Sequence, residues 1–340
     1  MIRFFCILFF FITGIAKAQL SDFGNVDFRK ADSVANHYKG ESLKNLPLLS
    51  YNLTNSLPSQ VEKFRAIYTW VSTNIENDYW GYVKNKQKRK QFQNDSLALR
   101  NWNKSYLPKV AEKLIKEQKT LCTGYAFLIK ELADISDIKC EIVNGYGKTA
   151  SSNMDEENSI PNHSWNVVEL DNKWYLCDAT WSSGFFDVDK NEFVSEYNDG
   201  YFLAEPKLFI KNHYPLDKKW MLLENKPTLS QFLNAPLIYK YAFNYQLIPV
   251  EPQKMKIEIG KNETISFLFE APDSLNPEAI QLELGSGSSK YSKKPIINRT
   301  KEGFLELKYT FEKLGHYDVH IKIDNKYLVT YTVRVRRKTK

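Results

Sequence analysis

Hydrophobic positions along the chain follow two different periods. Val61, Phe64, Tyr68, Val71 and Ile75 recur every three or four residues behind Ser59 and Glu62, which are spaced as a capping box. This predicts an amphipathic helix ending near Asn74. A shorter helix is expected around Phe28 to His37. After a basic, aromatic-poor insertion to about Ser105, another helix is expected from Pro108 to about Lys119, with Val110, Leu114 and Ile115 inward. In TLCTGYAFLIKELADI, Ala126, Ile129, Leu132, Ala133 and Ile135 trace a further buried face, with Cys122 in the first turn. CEIVNGYG, Cys140 to Gly147, reads as a strand. A polar loop separates it from NHSWNVVELDNKWYLCDATW, Asn162 to Trp181, two strand-like runs joined by Asp171-Asn172 as a two-residue turn. Short helices are expected at Pro206 to Ile210 and Leu229 to Leu233. From about Lys254 the period shortens to two: MKIEI, TISFLF, IQLEL, FLELKYTF, YDVHIKI and YLVTYTVRV alternate between Gly, Pro, Asn and Asp breaks, as a β-sandwich requires.

The first residues, MIRFFCILFFFITGIAKAQ, have a positive Arg3, an apolar run from Phe4 to Ile15 and the small-residue pattern Ala16-Lys17-Ala18. They read as a signal peptide cleaved after Ala18, and the protein as secreted or periplasmic. The run is short of the roughly 20 residues a membrane span needs, so no stable membrane anchor is expected. The domain plan is therefore a leader (1–18), a helical lead-in (19–55), an α+β domain (56–225), a linker (226–250) and an immunoglobulin-like β-sandwich (251–340).

Charge excludes little. The chain has 47 basic and 40 acidic residues, a net of +7 that falls to +5 once Arg3 and Lys17 leave with the leader. The densest run, KNKQKRK from Lys84 to Lys90, reads as a solvated surface loop, and no motif points to nucleic acid. The mature chain keeps Cys122, Cys140 and Cys177, an odd number for an oxidising compartment. A Cys140–Cys177 disulfide is expected only if their strands are neighbours. The calcium-loop spacing beginning at Asp187 fails at Glu192 and Asn198, so no metal and no cofactor are expected.

Counting outward from the Asp171-Asn172 turn places Trp165 opposite Asp178 and His163 opposite Thr180. His163 and Asp178 then share a face as diagonal neighbours, within side-chain reach, and Cys177 points to the other face. A carboxylate that orients an imidazole does chemistry only beside a nucleophile. Cys122 is the candidate, because a helix N-terminus and a nearby histidine both favour a thiolate. Gly124 would leave room for backbone N–H groups to approach an oxyanion. A buried cysteine and a structural His-Asp pair are the bland alternative, and spacing alone does not decide between them. His213 is read as structural.

Three separated motifs, TLCTGYAFLIKELADI, CEIVNGYG and NHSWNVVELDNKWYLCDATW, in that order, resemble the core of the transglutaminase-like superfamily, a papain-like fold with a helix packed on an antiparallel sheet. EKFRAIYTWVSTNIENDYW upstream and YFLAEPKLFIKNHYPLDKKWMLL downstream extend the resemblance toward the kyphoscoliosis peptidase branch, over about Gln60 to Leu223. The resemblance implies that Cys122 is the nucleophile, His163 the general base and Asp178 its orienting partner. It implies acyl transfer on peptide or protein amides, by hydrolysis ahead of cross-linking, or else a catalytically silent binding scaffold of the same fold. The chain departs from the family at Thr120-Leu121, where Gly-Val is common, and at Asn77-Asp78, where Tyr-Asp is common. Trp165 and Trp181 are expected to wall the cleft, and the β-sandwich to position a protein partner.

Overall fold

The computed structural model describes residues 19–150, 152, 154, 160–187, 189–287 and 289–337. The expected leader and its cleavage after Ala18 lie outside the described residues, and no described helix is long and apolar enough to cross a membrane.

The helix Gln60–Asn74 forms as its pattern dictates. The Ser59 side chain accepts from the Glu62 N–H, and the Glu62 carboxylate accepts from the Ser59 N–H. These bonds satisfy donors that a helix start leaves open. Its apolar face, including Phe64, Ile67 and Val71, is buried in one core with Ile129, Leu132 and Ala133 of the cysteine helix, Cys122–Ile135. On the other side of that helix is an antiparallel sheet in the order Lys173–Cys177, His163–Leu170, Cys140–Gly147, His213–Pro215. Asn166, buried in the second of these strands, donates from Nδ2 to the Ala126 carbonyl at 2.9 Å and so pins the cysteine helix to the sheet.

The turn is as expected. Leu170 pairs with Lys173, and Asp171 and Asn172 have φ of 50° and 63°. Two successive left-handed residues are the mark of a tight hairpin whose twist matches its strands.

The C-terminal part is an antiparallel-dominated sandwich. One sheet runs Ile248–Glu251, Thr264–Glu270, Leu305–Thr310, Ile296–Arg299, and the other Lys256–Gly260, Lys326–Arg336, Gly315–Ile323, Ile280–Ser286, Ser289–Lys293. Lys256–Gly260 pairs in parallel with Lys326–Arg336, and Leu237–Ile238 adds to the same long strand. Phe267, Phe269, Leu282, Leu307 and Val319 fill the space between the sheets. That core is continuous with Val143, Trp165, Val167 and Leu176 of the first sheet, so the site is built on the rigid seam of the molecule. Within 226–250 the chain forms the helices Leu229–Asn234 and Lys240–Asn244, and Lys148 Nζ donates to the Phe232 and Ala235 carbonyls, both at 2.8 Å.

Several expectations need correction. The basic insertion is a pair of helices, Tyr79–Gln91 and Ser96–Glu117, and the second contains Pro108 instead of starting there. Ile115 and Ile135 are 44% and 40% exposed, and Val110 is half-buried, because these turns overhang the core. The sandwich strands Ser289–Lys293 and Ile296–Arg299 were not foreseen: the first is exposed at every position and the second is nearly so, which leaves no alternation to read. Cys140 and Cys177 are free. Cys140 pairs with Val168 and Cys177 with Asn166, on opposite edges of the strand His163–Leu170. Two strand spacings, about 9.5 Å, exceed the ~7 Å that a disulfide spans.

Candidate active site

Cys122 opens its helix after Leu121, which is extended. The residue before that is fixed from outside: Lys119–Thr120 pairs in parallel with Glu76–Asn77, and the Asp78 N–H donates to the Thr120 carbonyl at 2.7 Å. Asn77-Asp78 thus serves the backbone, with Asp78 also capping the helix that follows. Gly124 has a different role from the one expected. A Cβ there would fall 2.1 Å from Thr120 Oγ1, so the glycine admits that side chain and not a substrate oxygen. Of the first-turn N–H groups, that of Gly124 donates to the Leu121 carbonyl at 2.8 Å, while those of Cys122 and Thr123 have no acceptor within the helix.

His163 pairs with Gly145 on the neighbouring strand and is buried. Its Nε2 lies 2.6 Å from Asp178 Oδ2, which leaves Nδ1 as the ring nitrogen for Cys122. Trp181 stacks on the imidazole at 5.1 Å between centroids. Gly147 makes that stack possible, since a Cβ there would stand 3.0 Å from His163 Cβ and 3.1 Å from the Trp181 ring. Trp165 is only 1% exposed and packs against Phe209 and His213 in the core, so of the two tryptophans Trp181 is the one beside the cleft.

Asp178 is fully buried. The ladder expected to reach it ends one residue earlier, at Asn166–Cys177, and Thr180 is helical instead of facing His163. Asp178 caps the short helix Ala179–Ser183: its Oδ1 accepts from the N–H groups of Thr180 at 2.8 Å and Trp181 at 3.1 Å. Capping turns the chain out of the sheet, yet it leaves Oδ2 aimed at His163.

The electrostatics follow from this geometry. Burial alone would raise the Cys122 thiol, but its hydrogen bond to His163, the charge of that ring and the Ser164 N–H outweigh burial and lower it. Burial opposes charge on His163 as well, yet the Asp178 carboxylate, by charge and hydrogen bond, and then Cys122 raise it to about 10. Burial would likewise raise Asp178, and the two histidines bonded to it hold it well below the usual carboxylate range. Cys140 and Cys177 are both raised by burial and have no such partner. Cys122 is therefore the thiol suited to nucleophilic attack.

His213 was taken as structural, and the structure brings it into the site. It is buried on the strand His213–Pro215, its Nε2 2.9 Å from the same Asp178 oxygen, and it stacks on Phe209 at 3.9 Å and on Trp181 at 4.3 Å. Burial outweighs the Asp178 carboxylate and lowers it to about 4, so it is neutral at ordinary pH and donates through Nε2–H. Its Nδ1 then needs a donor. Asn212 Oδ1 is placed 2.6 Å from it, and Asn212 Nδ2 has no partner among the described residues. Exchanging the two amide atoms satisfies both groups and turns Oδ1 toward the Tyr201 hydroxyl, which lies against the same amide. The sequence signal was faint, a lone NHYP some 35 residues past Asp178. His163, Asp178 and His213 lie within 4.8 Å of one another and could be read as a metal site. Contacts of 2.6 and 2.9 Å are, however, hydrogen bonds, shorter than the roughly 3.3 Å between ligands of a tetrahedral ion with ~2.0 Å bonds.

A histidine whose folded pKa is lowered stabilises the fold above its unfolded value near 6.5, and that contribution is lost as pH falls toward about 4. His213→Gln keeps a donor for Asp178 and removes the titration. In urea unfolding between pH 7 and pH 4, the wild-type protein is expected to lose at least about 1.4 kcal/mol more than His213→Gln, the worth of one pKa unit. Parallel curves for the two proteins would show that His213 does not titrate as described.

Comparison with known proteins agrees with the geometry. The model of the transglutaminase-like superfamily matches residues 48–179, which include Cys122, His163 and Asp178. Kyphoscoliosis peptidase of Mus musculus is 30% identical over 72% of the chain and 34% of its own length, and Hillarin of Drosophila melanogaster is 25% identical over 65% of the chain and 26% of its own. The chain thus spans about a quarter to a third of the length of these curated relatives. A solved transglutaminase is 20% identical over 52% of the chain and 38% of its own, with a TM-score of 0.28, too low to bear on the argument. Residues 48–179 thus form a domain of the transglutaminase-like superfamily, with its helix packed on an antiparallel sheet.

Proposed function

We propose that the chain is a cysteine acyl-transfer enzyme acting on peptide or protein amides, by hydrolysis ahead of cross-linking. The observation that carries this reading is Cys122 at a helix N-terminus beside His163, whose Nε2 lies 2.6 Å from a buried carboxylate. The thiolate attacks the amide carbonyl, and the oxyanion meets the open N–H groups of Cys122 and Thr123. His163 gives its proton to the departing amine as the carbon–nitrogen bond breaks, leaving a thioester on Cys122. The now neutral ring takes a proton from water, whose oxygen attacks the thioester, and the carboxylic acid leaves as the thiol is restored. An amine in place of water would give a cross-link. Hydrolysis is favoured because the two relatives matched over the largest shares of this chain among those compared, 72% and 68%, are named peptidases.

The test is the covalent step. After brief exposure of the full chain to p-nitrophenyl acetate and an acid quench, intact mass should show one acetyl group on Cys122, and none in Cys122→Ala. Decay of that adduct should be faster than in His163→Ala, and added cadaverine should divert less of it to amide than water takes as acid. An unacylated Cys122 would sink the enzyme reading and leave a silent binding scaffold.

We further propose that the protein is exported, on the strength of the leader-like first residues, and that the β-sandwich positions a protein partner. Protein recovered from the exporting cell should have an intact mass that starts at Gln19; a mass that retains Met1 to Ala18 would contradict export by cleavage.

A further inference from the structure

The charge of the chain is concentrated in one place. Residues 79–117, the two helices of the insertion and their link, hold ten lysines and arginines against Asp95, Glu112 and Glu117, a net of +7, which equals that of the whole chain. The remainder sums to zero. These helices accept the excess at the expense of their own stability. Lys84 and Lys88, Lys86 and Lys90, Arg100 and Lys104, and Lys109 and Lys113 stand four residues apart, where like charges weaken a helix. Lys116 pairs with Glu112 at 2.6 Å and Lys113 reaches Asp78 at 2.8 Å, while the other eight cations have no carboxylate partner among the described residues. Attraction to the helix C-terminus accounts for Lys88, Arg89 and Lys90 in the last turn, but not for Lys84 or Lys109.

Lys84 and Lys109 face a groove of about 310 Å³ between the two helices, walled by Trp80 and Tyr106 with Asp78 and Lys113 at its base. Lys84 Nζ stands 5.1 Å from the Tyr106 ring, and Trp80 is 59% exposed. The two-helix insertion adjoins the site at two points, the first of them in the groove. Asp78 holds the Thr120 carbonyl, two residues before Cys122, and the Arg89 guanidinium donates to the Pro161 carbonyl, two residues before His163.

From this placement we infer that the helical arm is the recognition element of the Cys122 site and takes an extended protein segment rich in Asp and Glu. Its carboxylates pair with Lys84 and Lys109, and an apolar side chain lies on Trp80 and Tyr106. The inference rests on the acyl-transfer reading, which also selects protein over nucleic acid: the neighbouring thiol acts on amides, and a nucleic acid backbone offers none.

Binding tests this without turnover. The full chain with Cys122→Ala is titrated against a labelled peptide of alternating Glu and Gly around a central Tyr, with a Gln-for-Glu control, by fluorescence anisotropy at low and high salt. The Glu peptide should bind and weaken with salt, the Gln peptide should not bind, and Lys84→Glu with Lys109→Glu should weaken the Glu peptide by roughly tenfold or more. A Lys-for-Glu peptide should then bind that double variant better than the parent chain, which shows the variant folded. Equal binding of the Glu and Gln peptides, unchanged binding by the double variant, or tighter binding of a DNA duplex than of the Glu peptide would each overturn the inference. If the ester leaves Cys122 unmodified while the Glu peptide binds, the reaction falls and the arm stands as a binding element. If Cys122 is acylated and the peptide does not bind, the arm falls.

Discussion

The Asp178 carboxylate is buried and uses both oxygens. Oδ1 accepts two backbone N–H groups of the helix it caps, and Oδ2 is shared by His163 and His213. An ionised carboxylate without water is tolerated only when each of its lone pairs is met, and here four donors meet them. The rest of the site depends on this arrangement. It fixes the His163 ring, raises its affinity for a proton, and so makes thiolate on Cys122 compatible with a half-buried position.

The four donors to that carboxylate come from three parts of the fold. Thr180 and Trp181 follow it in the chain, His163 stands on the adjacent strand, and His213 arrives on the far edge strand of the sheet. Cys122 comes from the helix packed on the sheet, held there by the bond from Asn166 to Ala126. The shared core that runs from Trp165 into the sandwich keeps these elements from sliding independently. Stability of the fold and readiness of the thiol are in this sense the same property.

Much of this was legible in the chain. Asp171-Asn172 set the hairpin register, and the register brought His163 within reach of Asp178, even though the ladder stops at Cys177 and a helix cap completes the approach. The Ser59 and Glu62 spacing placed the lead helix to the residue, because a cap is a local signal. The contact of His213 with Asp178 was not foreseen because its partner lies across the sheet, and nothing near NHYP in sequence encodes it. The helix Tyr79–Gln91 and the first half of Ser96–Glu117 were missed for the opposite reason: with little of their surface buried, they lack the apolar period by which a helix is recognised, and the charges of Lys84 to Lys90, read as a solvated loop, concealed the first. Cys140 and Cys177 looked pairable only while the strand between them was unplaced.

The most direct measurement is the pH dependence of Cys122 alkylation by iodoacetamide in the full chain, with Cys122→Ala as the blank for the two buried thiols. The account expects an apparent pKa below the free value of ~8.5. It also expects His163→Ala to return the thiol to that free value or above it. A wild-type value at or above ~8.5 would contradict the account, because Cys122 and His163 would then sit side by side without forming a thiolate-imidazolium pair.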